Sequence, residues 1–229
     1  IDSLPGVVQH TRESLRAEVS GLAQLGVKSV ILFGVPSEKD AVGSGASDPN
    51  GIVQLALNDL RCEVGDDVVV MTDLCVDEYT DHGHCGIVDE HGSVDNDATI
   101  DLYVQAALAQ ARAGSQVVAP SGMMDGQVAA IRTALDAEQF SEVAILAYAA
   151  KYASGLYGPF RDAVDVEIVD GGDRRGYQQD YRNAREAQRE IDLDIAEGAD
   201  MIMVKPALAY LDVIAEAAAR VDLPVAAYH

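Results

Sequence analysis

The segment MTDLCVDEYTDHGHCGIV, residues 71–88, gathers two thiols, two imidazoles and four carboxylates directly after an apolar run. Cys75, Asp77 and Cys85 have the spacing of a compact local chelate, and zinc accepts thiolate, imidazole and carboxylate alike. His82 and His84 lie close enough in sequence to add a fourth ligand or to orient the ligands from outside. Three protein ligands leave a position open for water or substrate, which catalytic zinc requires. The bland alternative is a turn that carries free thiols and histidines without an ion.

Lysine gives a second signal. Only Lys28, Lys39, Lys151 and Lys205 occur, against twelve arginines, among the sixteen basic residues. Lys151 closes the apolar run EVAILAYAAK and Lys205 closes DMIMVK. An ammonium at the end of a buried strand loses hydration, and desolvation pulls its pKa down. The neutral amine can then attack a ketone and form a Schiff base, and two such lysines face to face would depress each other further. Either lysine alone reads better as a side chain snorkelling from a strand end or salt-bridged there; two together, in a chain this poor in lysine, favour the chemistry. Arg161, Arg174 and Arg175, in the glycine-rich segment 155–180, can offer bidentate forks to a substrate carboxylate. A solvated charged loop is the plainer reading of each.

These residues need elements to position them. Six apolar runs read as strands buried on both faces: 28–35, 67–74, 115–120, 142–149, 200–205 and 223–229. Helix-period segments lie between them. Residues 11–26 place Leu15, Val19, Leu22 and Leu25 on one stripe. Residues 97–114 open on Asp97 as a cap and end at Gly114. Residues 125–139, 183–198 and 208–221 follow the same pattern. Strand then helix, repeated, predicts a parallel sheet with right-handed crossovers. No GxGxxG follows an early strand, which disfavours a doubly wound dinucleotide fold. Asp73, Ser121, Lys151 and Lys205 all stand at strand C-termini, which favours a (β/α)8 TIM barrel of class α/β. Residues 1–229 read as one catalytic domain, a barrel incomplete at both ends, and residues 155–180 as its lid.

The net charge of −22 argues against nucleic acid, whose phosphates need clustered Lys and Arg. It suits a soluble surface and is the kind of surface a high-salt cytoplasm screens. No run of about 18 apolar residues is present for a membrane helix. Three cysteines do not make a disulfide scaffold, and Cys62 reads as a buried thiol in a helix.

The motifs FGVPS (33–37), DLCVDEYTDHGHCGIV (73–88), VVAPSGMMDGQVAAIR (117–132), YAAKYASGLYGPFRDA (148–163), GDRRGYQ (172–178), EGADMIMVKPALAYLD (197–212) and LPVAAYH (223–229), in this order, resemble the porphobilinogen synthase (5-aminolevulinate dehydratase) family over essentially the whole chain. The resemblance implies a barrel lyase that condenses two 5-aminolevulinate molecules into porphobilinogen, in tetrapyrrole (haem) biosynthesis, with loss of two waters. Lys205 then holds the substrate that forms the propionate side, and Lys151 engages the second. Arg161, Arg174 and Gln178 match lid residues that contact a substrate carboxylate. Tyr157 and Phe160 line the lid, and Asp73 and Ser121 sit on the site floor. Zinc-dependent members have cysteine where Asp77 stands, and two thiolates still favour zinc over a hard ion. Glu190 matches a ligand of an allosteric magnesium, and Asp125 a residue that supports it through water. A cytoplasmic homo-octamer is implied, with an N-terminal arm before Ile1 and a last strand after His229. Two rivals stand beside this reading. One is an aldolase-like barrel with a single Schiff-base lysine; the other is a metal-binding or assembly barrel without chemistry.

Overall fold

A computed structural model describes residues 1–169 and 172–229. Six parallel strands follow one another in chain order: β1 Ser29–Leu32, β2 Val69–Leu74, β3 Val117–Pro120, β4 Ala144–Lys151, β5 Met201–Lys205 and β6 Val225–Ala227. The sheet curls and helices cover its outer face, so the architecture is an incomplete α/β barrel, as the strand–helix alternation predicts. The helices are α1 Arg12–Gln24, α2 Ile52–Val64, α3 Asn96–Arg112, α4 Gln127–Ala137, α5 Gly158–Ala163, α6 Ala184–Glu197 and α7 Leu211–Arg220.

Side chains alternate across the strands with period two. Val118, Ile145, Ile202 and Val204 face outward and pack with Ile131, Leu135 and Ile191 of the helices. Val117, Ala119, Leu146, Tyr148 and Met203 face the inside of the curl. Lys205, two residues after Met203, therefore points inward. Lys151 would not, because it is out of phase with Leu146 and Tyr148. The β4–β5 register corrects this: Leu146 and Ala147 pair with Met201 and Ile202, then Ala150 and Lys151 pair with Val204 and Lys205. One extra residue in β4 has shifted the phase, as a bulge does. Lys151 thereby lies beside Lys205 on the inner face.

Several local expectations are refined. The cap of α3 is Asp95, whose Oδ1 accepts the Ala98 N–H; Asp97 lies inside the first turn. Leu25 is 83% exposed and leaves the α1 stripe, because α1 ends at Gln24 and the chain turns there. Cys62 is exposed, not buried, since the inner face of α2 is filled by Leu57, Leu60 and Val64. The helix over 52–64 escapes the segment reading; its apolar residues follow a glycine with no side-chain cap. The 155–180 segment is partly structured: a 3-10 turn at Gly155–Tyr157 leads into α5. The proposed lid includes residues 170 and 171, which lie outside the described residues.

One close approach braces the site from below. Tyr103 of α3, fully buried, donates its hydroxyl to the Cys85 carbonyl at 2.6 Å and lies 3.5 Å from the Cys75 sulfur. Its ring passes over Gly122, where a Cβ would run into the hydroxyl. Gly122→Ala should therefore cost about 1–3 kcal/mol by overpacking, read as a lower urea midpoint; an unchanged midpoint would show that the β3–α4 loop yields without strain.

Candidate active site

The C-terminal ends of the strands surround a cavity of about 890 Å³. Asp73 of β2, Ser121 after β3, Lys151 of β4 and Lys205 of β5 all line it, as barrel sites are built. A separate cavity of about 970 Å³ lies on the helix side, lined by Asp125, Glu190 and Asp194. Both lysines and the thiol loop's carboxylates belong to the first, so the amine chemistry belongs there.

The two lysines are almost equally buried, at 5% and 8% exposure, yet their electrostatics differ. Burial, then the neighbouring Lys151, lowers Lys205 to about 8. Its Nζ sits 3.7 Å from the Tyr228 ring centroid, with Phe160 and Tyr157 at 5.2 and 5.3 Å. Lys151 corrects the expectation of two depressed amines. Burial works to lower it, but the negative charge of Cys85, Cys75 and Asp77 outweighs burial and raises it. Its Nζ donates to the Ser121 carbonyl at 2.6 Å. The pair is thus asymmetric, one amine raised and the other lowered to about 8.

Asp73 accepts a hydrogen bond from the Ser121 hydroxyl at 3.1 Å. Burial raises it to about 6, partly offset by Lys151, and its Oδ1 has no partner. Tyr148 lies under both amines, 5.6 Å from Lys151 and 5.8 Å from Lys205, with its hydroxyl unpartnered.

The chelate forms as the spacing suggests. Ligand atoms of Cys75, Asp77 and Cys85 all lie within 4.8 Å of one another, and all three residues are buried. The two thiols are polarised against each other. Burial raises Cys75; a hydrogen bond from Cys75 lowers Cys85. Asp77 is held well below the usual carboxylate range because Arg174, then Lys151, overcome its burial. Two sulfurs and a carboxylate, converging in a dry loop, fit a metal ion and favour a soft or borderline one. The histidines do not join them. His84 N–H donates to His82 Nδ1, His82 Nε2 donates to the Ala41 carbonyl, and His84 Nδ1 meets the Tyr177 hydroxyl. They bind the loop to its surroundings instead of supplying a fourth ligand.

The lid residues separate. Tyr157, Phe160, Arg161 and Arg174 line the cavity, and Tyr157 donates to the carbonyls of Tyr152 and Lys205. Gln178 is buried but does not line it, and its Nε2 has no partner. Arg175 stays on the surface beside Asp173. Glu190 and Asp125 do come close: burial, then Asp125, raises Glu190. Asp194 joins them unpredicted and is raised to about 7 by burial and by Glu197. Glu78, Tyr103, Tyr148, Tyr177 and Tyr228 are further site residues that spacing alone does not single out. Glu78, Tyr148, Tyr177 and Tyr228 lie within the quoted motifs, which were the available signal; Tyr103 lies outside them.

Comparison with known proteins completes the picture. The family model for delta-aminolevulinic acid dehydratase matches residues 1–229. Enzymes of that name from Streptomyces coelicolor and Mycobacterium tuberculosis are 57% and 58% identical over 230 residues, covering all of this chain and 69% of their own length. The crystal structure of delta-aminolevulinic acid dehydratase (porphobilinogen synthase) from Toxoplasma gondii, solved with the product porphobilinogen, superposes with a TM-score of 0.96 at 44% identity. That match covers all of this chain and 66% of the Toxoplasma chain. The chain belongs to the delta-aminolevulinic acid dehydratase family of hydro-lyases, also called porphobilinogen synthases.

Proposed function

We propose that this chain carries the two-lysine centre of a porphobilinogen synthase, joining two 5-aminolevulinate molecules with loss of two waters in tetrapyrrole synthesis. The observation that carries the reading is the Lys151–Lys205 pair, brought side by side inside the curl by the β4 bulge. An aldolase-like site needs one such amine and gives no reason for the second.

Lys205, lowered to about 8, attacks the ketone of the first substrate in its unprotonated form; the carbinolamine loses water and leaves an imine. Its aromatic surround excludes bulk water from that bond. Lys151 engages the ketone of the second substrate, where Ser121's carbonyl aims its amine. Asp73, on the cavity wall and hydrogen-bonded to Ser121, is available to take a proton as the ring closes. Arg161, partly buried in the lid, offers its fork to a substrate carboxylate. Loss of an α-proton turns the Lys151 imine into an enamine whose carbon attacks the Lys205 imine carbon, forming the carbon–carbon bond. Elimination then frees Lys205, the amino group of the first substrate displaces Lys151 as the carbon–nitrogen bond closes, and proton loss gives the pyrrole, so the protein ends unchanged. Zinc, held by Cys75, Asp77 and Cys85, would polarise the second ketone and withdraw the negative charge that keeps Lys151 cationic. Glu190, with Asp125 beside it, is the proposed magnesium position on the helix side. Two further strands between β6 and β1 would complete the barrel, and a homo-octamer is the proposed assembly.

The reaction of the lysines is directly measurable. Borohydride should trap 5-aminolevulinate on Lys205, and Lys205→Met should abolish both that adduct and pyrrole formation. Adducts of equal yield without Lys205 would reverse the assignment of the two lysines; no adduct at all would favour a barrel without this chemistry. Trapping should also rise with pH. Only the unprotonated amine attacks, so with Lys205 at about 8 the rate grows roughly tenfold per pH unit below it and levels off above. A midpoint near 10 would mean that burial does not depress this amine. For the metal, chelator-stripped protein should regain activity with zinc and not with magnesium alone, and two equivalent responses would count against thiolate-held zinc.

A further inference from the structure

Arg174 is spoken for in this structure. Its Nη2 lies 2.7 Å from Asp77 Oδ2 and 2.7 Å from the Gly83 carbonyl, and its side chain is 7% exposed. Arg174 borders the cavity, yet its guanidinium is already engaged by protein groups. It spans the thiol loop from its second ligand, Asp77, to the turn just before its third, Cys85. We propose that Arg174 is the positioning residue of the metal centre: it fixes the carboxylate of Asp77 against the two thiols and so couples ion binding to the order of the lid.

Three further contacts tie the same two segments. The Tyr177 hydroxyl accepts the Cys85 N–H at 3.3 Å and bonds His84 Nδ1 at 3.2 Å. Val169 N–H donates to the His82 carbonyl at 3.3 Å. At Gly83 the two backbones approach so closely that a Cβ would strike the Glu167 carbonyl. The thiol loop and the stretches around Val169 and Arg174 therefore pack together.

Asp77 is the reason an arginine is needed. A thiolate has one donor atom on a short stem. A carboxylate has two oxygens and a free torsion, and can swing from one binding mode to another. Holding Oδ2 on a guanidinium removes that freedom and leaves the other oxygen for an ion. The ion pair agrees: Arg174 and Asp77 meet at 2.7 Å with both side chains buried, so the carboxylate keeps a charged partner inside the loop. Coupling is reciprocal, so an ion that tightens Asp77 must steady Arg174 and the residues around it.

The inference rests on the metal reading above, and cobalt(II) tests the two separately. The full protein is stripped and titrated with cobalt against a chromophoric chelator, following thiolate-to-cobalt charge-transfer absorption. Wild type should bind with that band. Arg174→Gln should bind tenfold to a hundredfold more weakly, as loss of a ligand-orienting partner does, with a changed cobalt spectrum; Arg174→Lys should recover only part, since it keeps the charge and loses the fork. Equal affinity and spectrum in wild type and Arg174→Gln would overturn the positioning role while leaving the metal site intact. Absence of the thiolate band in wild type would overturn both. A second measurement needs no variant. Cobalt should slow hydrogen exchange of the Tyr177 and Gln178 amides, which donate to the Arg174 carbonyl. Unchanged exchange at those amides would likewise overturn the coupling.

Discussion

A strand of strict alternation would leave Lys151 facing the helices, one residue out of phase with the inner face. The extra residue in β4 turns it inward, level with Lys205 across a parallel ladder. The remainder of the site follows from that placement. Two ammonium groups cannot share a dry cavity without compensation, since desolvating each costs several kcal/mol. The structure answers in two ways. Lys151 receives a carbonyl and the field of the thiol loop. Lys205 receives aromatic faces and gives up part of its charge.

This division explains why the surrounding residues are of the kinds they are. Lys205 is ringed by Tyr228, Phe160, Tyr157 and Tyr148, whose faces tolerate either protonation state. Around Lys151 the loop supplies Cys75, Asp77 and Cys85, whose charge favours a cation nearby, whether an amine or a metal ion. Asp73 stands between the regimes, buried enough to be raised to about 6 and still bonded to Ser121. Titratable groups pushed apart by environment in one cavity are the pattern expected of acid–base chemistry.

The stretches around Tyr157 and Arg174 are each held by polar ties. Tyr157 hydroxyl closes the carbonyls beyond β4 and β5, while Arg174 and Tyr177 close the thiol loop. Such ties are specific in direction yet individually modest, about 1 kcal/mol net for neutral pairs. The barrel beneath is held differently, by strands and helices that share a continuous apolar core.

The amino-acid order by itself determined the strand–helix alternation, because each strand here is a short apolar run and the helices between them carry their own period, with side-chain caps on α1, α3 and α6. All six strands and five of the helices can be read that way, and so can the family, from motifs that are contiguous in the chain. The chelate was legible for the same reason: its ligands fall within eleven residues and form one loop. Tertiary structure decided the rest. Which face Lys151 takes depends on a register shift against β5, more than fifty residues away. The opposite shifts of the two lysines depend on which charges lie across the cavity. Arg174's attachment to Asp77 bridges 97 residues of sequence, and the exposure of Cys62 and Leu25 depends on what the neighbouring helices leave uncovered. Periodicity and spacing describe a residue's relation to its own segment; burial and charge are set by whatever the fold brings against it.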